Sequence, residues 1–307
     1  MDNKMRFWPP VMIIIMIIWA TFYPIIKYMV SDIDPLILSF YRYLFGFTAL
    51  SPFFLSELKK QKTKPAPVEI IIMSTLGFIG ITLFSVGLFY GIKLSTAVNG
   101  SLLANTQPIF TAILGTLLIS EVLSRRKIYG VFMGIAGMVL VVTNGNFTSF
   151  VLGGTAVIGN LLLIAAAAAL SLYSILIKKY VGKFGSLFPT WISMTSGTIL
   201  LLIINTTRGQ NPLQIILLPI QSIIMILYLG IIGTSLTYLM FNMALNRMSV
   251  TVATSYKLLI PVFGLLFAFL FLGEKPGIPT LAGILIVVIS VYVIQKVPKL
   301  PSSTSEG

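Results

Sequence analysis

The sequence predicts an all-α membrane protein of ten transmembrane helices, arranged as two inverted five-helix repeats. Three observations predict it. Of the 307 residues, 57% are hydrophobic and only 9% are charged, whereas a water-facing surface draws on about a quarter charged residues. The apolar runs have bilayer length: "PPVMIIIMIIWATFYPII" (9–26) and "VTVATSYKLLIPVFGLLFAFLFLG" (250–273) each approach the roughly 20 residues that cross a hydrocarbon core. Finally, the phrase "LGFIGITL" (76–83) returns 153 residues later as "LGIIGTSL" (229–236). The spans must be helices, because the runs lack the apolar–polar alternation of a membrane barrel.

Charged, proline-rich and Asn/Gly-rich breaks place the spans near 11–30, 36–55, 68–91, 96–119, 128–144, 154–177, 187–205, 213–244, 250–272 and 278–295. The eighth is long, and Pro219 leaves its start open. The N-terminus reads as an uncleaved first span, since no small-residue cleavage site precedes Pro24 and Lys27. This divides the chain into a cytoplasmic N-terminus (1–10), a first five-helix repeat (11–144), a second (154–295) and a polar cytoplasmic tail (296–307).

Lys and Arg orient these spans. With the N-terminus in the cytoplasm, alternate loops give fifteen cations inside and three outside, Lys93, Arg208 and Lys275. An extra or missing span would scramble that asymmetry. The net charge of +13 therefore reflects topology and attraction to anionic lipid, and calls for no nucleic-acid partner. There is no cysteine and no histidine, which removes disulfides, thiolate metal sites and the commonest proton-relay side chain.

The repeat extends well beyond one phrase. At the same offset Pro108 falls on Pro261, Phe110 on Phe263, Leu117 on Leu270, Glu121 on Glu274 and Gly130 on Gly283. Apolar bias supplies leucines by chance, but not Pro, Glu and Gly at one spacing. Five spans per copy is odd, so the second copy enters the membrane from the other side. Gly77, Gly80, Gly230 and Gly233 then let neighbouring backbones approach closely, a structural role that small residues fill in helical membrane proteins generally.

The paired segments "QPIFTAILGTLLISE" and "IPVFGLLFAFLFLGE", each a mid-span proline followed by a span-ending glutamate, resemble the EamA-type branch of the drug/metabolite transporter superfamily. The resemblance covers essentially the whole chain. It implies ten helices in two repeats, cytoplasmic termini, and a central cavity lined largely by helices three, four, eight and nine. It also implies a metabolite exporter, with relatives that exchange phosphorylated sugars or carry nucleotide sugars. Glu121 and Glu274 fall on the family's glutamate positions, where the expected role is structural, accepting hydrogen bonds at a helix end.

None of the eight acidic residues lies at mid-membrane. Lys257, by contrast, lies seven residues inside span nine, roughly 10 Å deep at 1.5 Å per residue. Two readings compete: it binds an anionic substrate group, with Tyr256 beside it, or it snorkels or pairs with carbonyls freed at Pro261. Arg42, in the outer third of span two, reads foremost as a structural ion pair with Asp32 or Asp34 near Lys27, and as a substrate contact second. In span four, Asn105 and Gln107 precede Pro108, which cannot donate to the helix ladder. Matched breaks at Pro108 and Pro261 point to a transport site. Trp19, Tyr23, Tyr173 and Tyr238 lie inside spans and suit an amphipathic ligand, although each alone also suits packing.

The function expected is a secondary transporter in the cell (inner) membrane, exporting amino acids or similar small amphipathic metabolites by alternating access. Its expected partners are a small-molecule substrate and the bilayer, with no cofactor, metal or nucleic acid, as a monomer or weak homodimer. The alternatives are an exchanger of phosphorylated or nucleotide-linked sugars, a channel, or an intramembrane enzyme. No catalytic constellation is visible for the last, and no phosphate-binding loop encodes ATP drive. With Lys257 the one deep inner-side cation, a single carboxylate fits better than a phosphate.

Overall fold

The computed structural model describes residues 7–59, 64–121, 123–143, 145–146, 154–272 and 277–295. Within them are helices and turns and no strand. Nine helices are long and apolar enough to cross a bilayer: α1 (Trp8–Met29), α3 (Pro67–Leu94), α4 (Asn99–Ile119), α5 (Arg125–Thr143), α6 (Thr155–Phe184), α7 (Leu187–Thr207), α8 (Ile220–Leu245), α9 (Val250–Phe267) and α10 (Ile278–Gln295). The tenth rod is α2 (Pro35–Leu58), whose apolar character is diluted by Arg42 and two tyrosines; its 24 residues span roughly 36 Å. Pro9 and Pro10 start α1 slightly earlier than the hydropathy run suggests, since proline suits the first helical turn. The eighth segment is a 3-10 turn, Pro212–Leu217, followed by α8. The outer surface is apolar, with Ile71, Leu217 and Ile278 among its exposed side chains.

The inversion is visible where α5 packs on α10. A Cβ on Gly130 would lie 2.5 Å from Ile294, and one on Gly283 would lie 2.7 Å from the Gly137 carbonyl. As residue numbers rise along α5, its neighbours' numbers fall along α10, so the two helices are antiparallel. Each is the other's mate at an offset of 153, as Gly130 and Gly283 are.

The repeat shows again at two further crossings, of α3 with α7 and of α8 with α2, which are mates as pairs. Gly77 abuts Ser193 and Ser196, and Gly230 abuts Arg42 and Phe45. Gly80 packs against the Tyr173 ring, and Gly233 against the Phe22 ring. The contact partners are themselves repeat mates, offset by 151 rather than 153. Two residues are therefore gained between the second and third helices of the repeat.

The repeated phrase has a structural purpose. Phe78–Leu83 in α3 and Tyr228–Leu236 in α8 are π-helical turns. Such a turn misaligns backbone carbonyls from their ordinary donors and recurs at functional sites. Likewise, 3-10 turns at Ala104–Thr106 in α4 and Tyr256–Leu259 in α9 precede Pro108 and Pro261. Both repeats thus deform at matched depth near the centre of the molecule.

Candidate functional site

At the centre lies a cavity of about 30 Å³, room for one or two waters. Repeat one contributes Trp19, Phe22 and Tyr23 from α1, Arg42 from α2, Phe84 and Leu88 from α3, and Ala104 and Asn105 from α4. Repeat two contributes Leu170 from α6, Tyr238 from α8, and Lys257 and Ile260 from α9. Helices one, two and six thus join the four expected.

The α8 π-turn builds much of this site. The Trp19 Nε1 donates to the Gly233 carbonyl at 3.2 Å and to Thr237 Oγ1 at 2.9 Å. Arg42 Nε donates to Thr234 Oγ1 at 2.6 Å, and that hydroxyl donates to the Leu229 carbonyl five residues back. The π-turn therefore holds the indole and the guanidinium together. Asn105 Nδ2 donates to the Tyr23 hydroxyl at 2.9 Å and to the Ser101 carbonyl at 2.6 Å. The Tyr238 and Tyr43 hydroxyls are 3.2 Å apart.

Two cations are buried here. Lys257 is 5% exposed, and its ammonium lies 4.6 Å from the Trp19 ring centroid and 5.7 Å from that of Phe241. Arg42 is 1% exposed and lies 4.7 Å over Phe22 and 5.0 Å over Tyr43. Among the described residues neither meets a carboxylate; the ion pairs there are Lys127–Glu121, Lys183–Glu69 and Arg208–Asp34. Buried cations without acids are held here by ring quadrupoles. Lys257 is the repeat mate of Ala104 at the offset of 153. The fold is symmetric at this point and the chemistry is not.

Arg42 corrects the foremost sequence reading. Among the described residues it forms no outer-interface ion pair. Asp34 instead caps α2, accepting from the Leu36 amide at 2.9 Å, and pairs with Arg208 at 3.3 Å. Lys27 donates to the carbonyls of Ile92 and Ser95, at 3.0 and 2.8 Å. The signal for Arg42 was available: it stands seven residues from the start of its helix, as Lys257 does. The nearby aspartates masked it.

Three predicted residues lie off the cavity. Gln107 donates from Nε2 to Ser174 Oγ at 3.2 Å, Tyr173 is tied by its hydroxyl to Asn242, and Tyr256 is buried one place from Lys257. Glu121 pairs with Lys127 at 3.3 Å, and the same ammonium donates to Ser249 Oγ, the N-cap of α9, at 3.4 Å. Glu274 lies outside the described residues.

Inverted repeats enclosing an aromatic-walled cavity with two buried cations, between apolar helices, define a multi-spanning membrane transporter. The model of the EamA-like transporter family matches twice, over residues 6–143 and 157–295, and the chain belongs to that family. An uncharacterized transporter of Archaeoglobus fulgidus is 31% identical over 280 residues, covering 90% of this chain and 93% of that one. A probable terminal-alkyne amino-acid exporter of Streptantibioticus cattleyicolor is 23% identical over 220 residues, covering 72% and 71%. A protein of known crystal structure shares the fold, with a TM-score of 0.73 and 17% identity over 93% of this chain and 94% of that one.

Proposed function

We propose that this protein is a secondary transporter that moves small amphipathic metabolites bearing a carboxylate, amino acids among them, outward across the cell membrane by alternating access. One observation carries the reading: the central cavity pairs an apolar, aromatic wall with a buried ammonium, Lys257, that meets no acidic partner among the described residues. An ammonium in hydrocarbon costs about 2.5–3.5 kcal/mol on insertion scales, and an incoming carboxylate offsets that cost while the rings hold the substrate's body. The cavity is too small for a metabolite, so loading requires the helices that wall it to part at one face. The amphipathic amino acid named for the Streptantibioticus relative is of the same chemical kind, which supports the outward direction. The arginine and lysine asymmetry supports cytoplasmic termini and a cytoplasmic 57–67 loop.

The test is counterflow and efflux of radiolabelled amino acids and carboxylates in proteoliposomes, wild type against Lys257→Met. Loss of a charge-assisted hydrogen bond of about 1.5–3 kcal/mol lowers apparent affinity roughly ten- to hundred-fold. Unchanged kinetics at equal reconstituted protein would remove Lys257 from the site, and absence of flux for every compound would remove the transport reading itself.

A further inference from the structure

Arg42 brings a second positive charge to the same cavity. Its Nε is satisfied by Thr234 Oγ1 at 2.6 Å, but its Nη1 is buried and meets no acceptor among the described residues. A purely structural tie between α2 and α8 explains the first contact and leaves the second atom without a purpose, and buried donors are nearly always paired. Two of the cavity's rings already face cations, Trp19 facing Lys257 and Phe22 facing Arg42. Among the described residues no carboxylate lines the cavity. A zwitterion would therefore leave the loaded site with its two positive charges uncompensated, whereas a dianion neutralises it before it crosses. Building on the transport reading, we infer that Arg42 is a second anion-binding residue and that zwitterionic amino acids are the weaker cargo, the cavity preferring organic dianions with an apolar body, dicarboxylates or phosphate monoesters, over zwitterions of the same size.

The purified protein in which Trp8→Phe and Trp191→Phe leave Trp19 as the sole tryptophan reports binding by indole fluorescence. The probes are phenylsuccinate, phenyl phosphate and phenylalanine. Expected is at least about tenfold tighter binding of one dianion than of phenylalanine, one bidentate charge-assisted contact being worth that much; the better dianion shows whether carboxylates or a phosphate are preferred. Arg42→Gln weakens both dianions more than phenylalanine and so removes the preference, and Arg42→Lys restores part of it. Phenylalanine binding as tightly as both dianions, or neither dianion binding, overturns the inference, even where Arg42→Gln fails to fold, because the wild-type ranking alone decides it. Phenylalanine efflux in proteoliposomes that neither dianion inhibits would keep the transport reading and sink this one.

A different observation carries a second inference. Lys27, near the end of α1, donates to the Ser95 carbonyl just past α3, at 2.8 Å. Lys178, near the end of α6, donates to the Met248 carbonyl just past α8, at 2.7 Å. Lys27 and Lys178 stand 151 residues apart, and Ser95 and Met248 stand 153 apart, the offsets that relate the two repeats. One bond is thus made twice, once at each membrane face. Both are closed around a cavity of about 30 Å³. Given alternating access, the geometry points to these as paired latches, one of which must release for each face to open.

Ala104, which lines the cavity, serves as the reporter, since Ala104→Cys gives the chain its one thiol. An impermeant thiol reagent is applied to either face of oriented vesicles. Lys178→Met should raise labelling from the Lys178 face and lower it from the other, and Lys27→Met should do the reverse. Lysines that merely cap helix ends would cost stability without such opposition. Labelling that shifts the same way in both variants, or in neither, overturns the latch. Lys178→Arg, which keeps the donor, should return the wild-type ratio. The readout needs no substrate, so it stands apart from the identity of the cargo.

Discussion

Gly80→Ala tests the close approach of the repeats at the α3 π-turn. A Cβ at residue 80 lands within contact distance of Tyr173 Cβ, Cγ and Cδ2, the base of that side chain rather than its mobile tip. Tyr173 is 1% exposed, and its hydroxyl accepts from Asn242 Nδ2 at 3.3 Å. The ring cannot swing aside without losing that bond, so the helices must part. Overpacking costs about 1–3 kcal/mol, against roughly 0.5–1 kcal/mol gained by replacing a helical glycine with alanine. A clash with the base of a side chain sits at the upper end of that range, so the net, roughly 2 kcal/mol, corresponds to a fall on the order of 4–8 °C in the apparent melting temperature. Gly264→Ala is the contrast, because no described atom lies within 4 Å of its Cβ; there only the propensity gain remains, and melting should hold or rise. Both are read by thermal unfolding of purified protein in one detergent. If Gly80→Ala melts within about 1 °C of wild type, or Gly264→Ala falls as far, the packing explanation of the repeated glycines is wrong.

Further outcomes are expected elsewhere. Glu121→Gln breaks a pair whose side chains are 12% and 9% exposed and should cost about 1–2 kcal/mol in thermal stability, given that glutamine keeps a hydrogen bond to Lys127. Glu69→Gln, whose partner Lys183 is 47% exposed, should leave melting unmoved. For orientation, Thr63→Cys should resist an impermeant thiol reagent in intact cells while Asn146→Cys reacts, and the opposite pattern would invert the proposed topology.

Much of the fold was legible in one dimension. Span length follows from hydropathy because each backbone group in hydrocarbon must be paired within its own helix. The inversion follows from an odd number of spans per copy, and the copying shows as an offset that needs no coordinates. Lys257 stood out because a deep cation is costly wherever it points. The cavity was not legible in this way. Arg42 reaches Thr234 across 192 residues of sequence, and Trp19 reaches Gly233 across 214. These partners are chosen by how the helices turn about their axes. In water an apolar stripe would announce the inward face of each helix, but in a bilayer lipid and protein interior are equally apolar. The sequence therefore determined how many helices cross, where they deform and which charges are out of place. Only the packed structure decided that Arg42 and Lys257, from opposite repeats, face one another's cavity rather than the interface or the aspartates beside them.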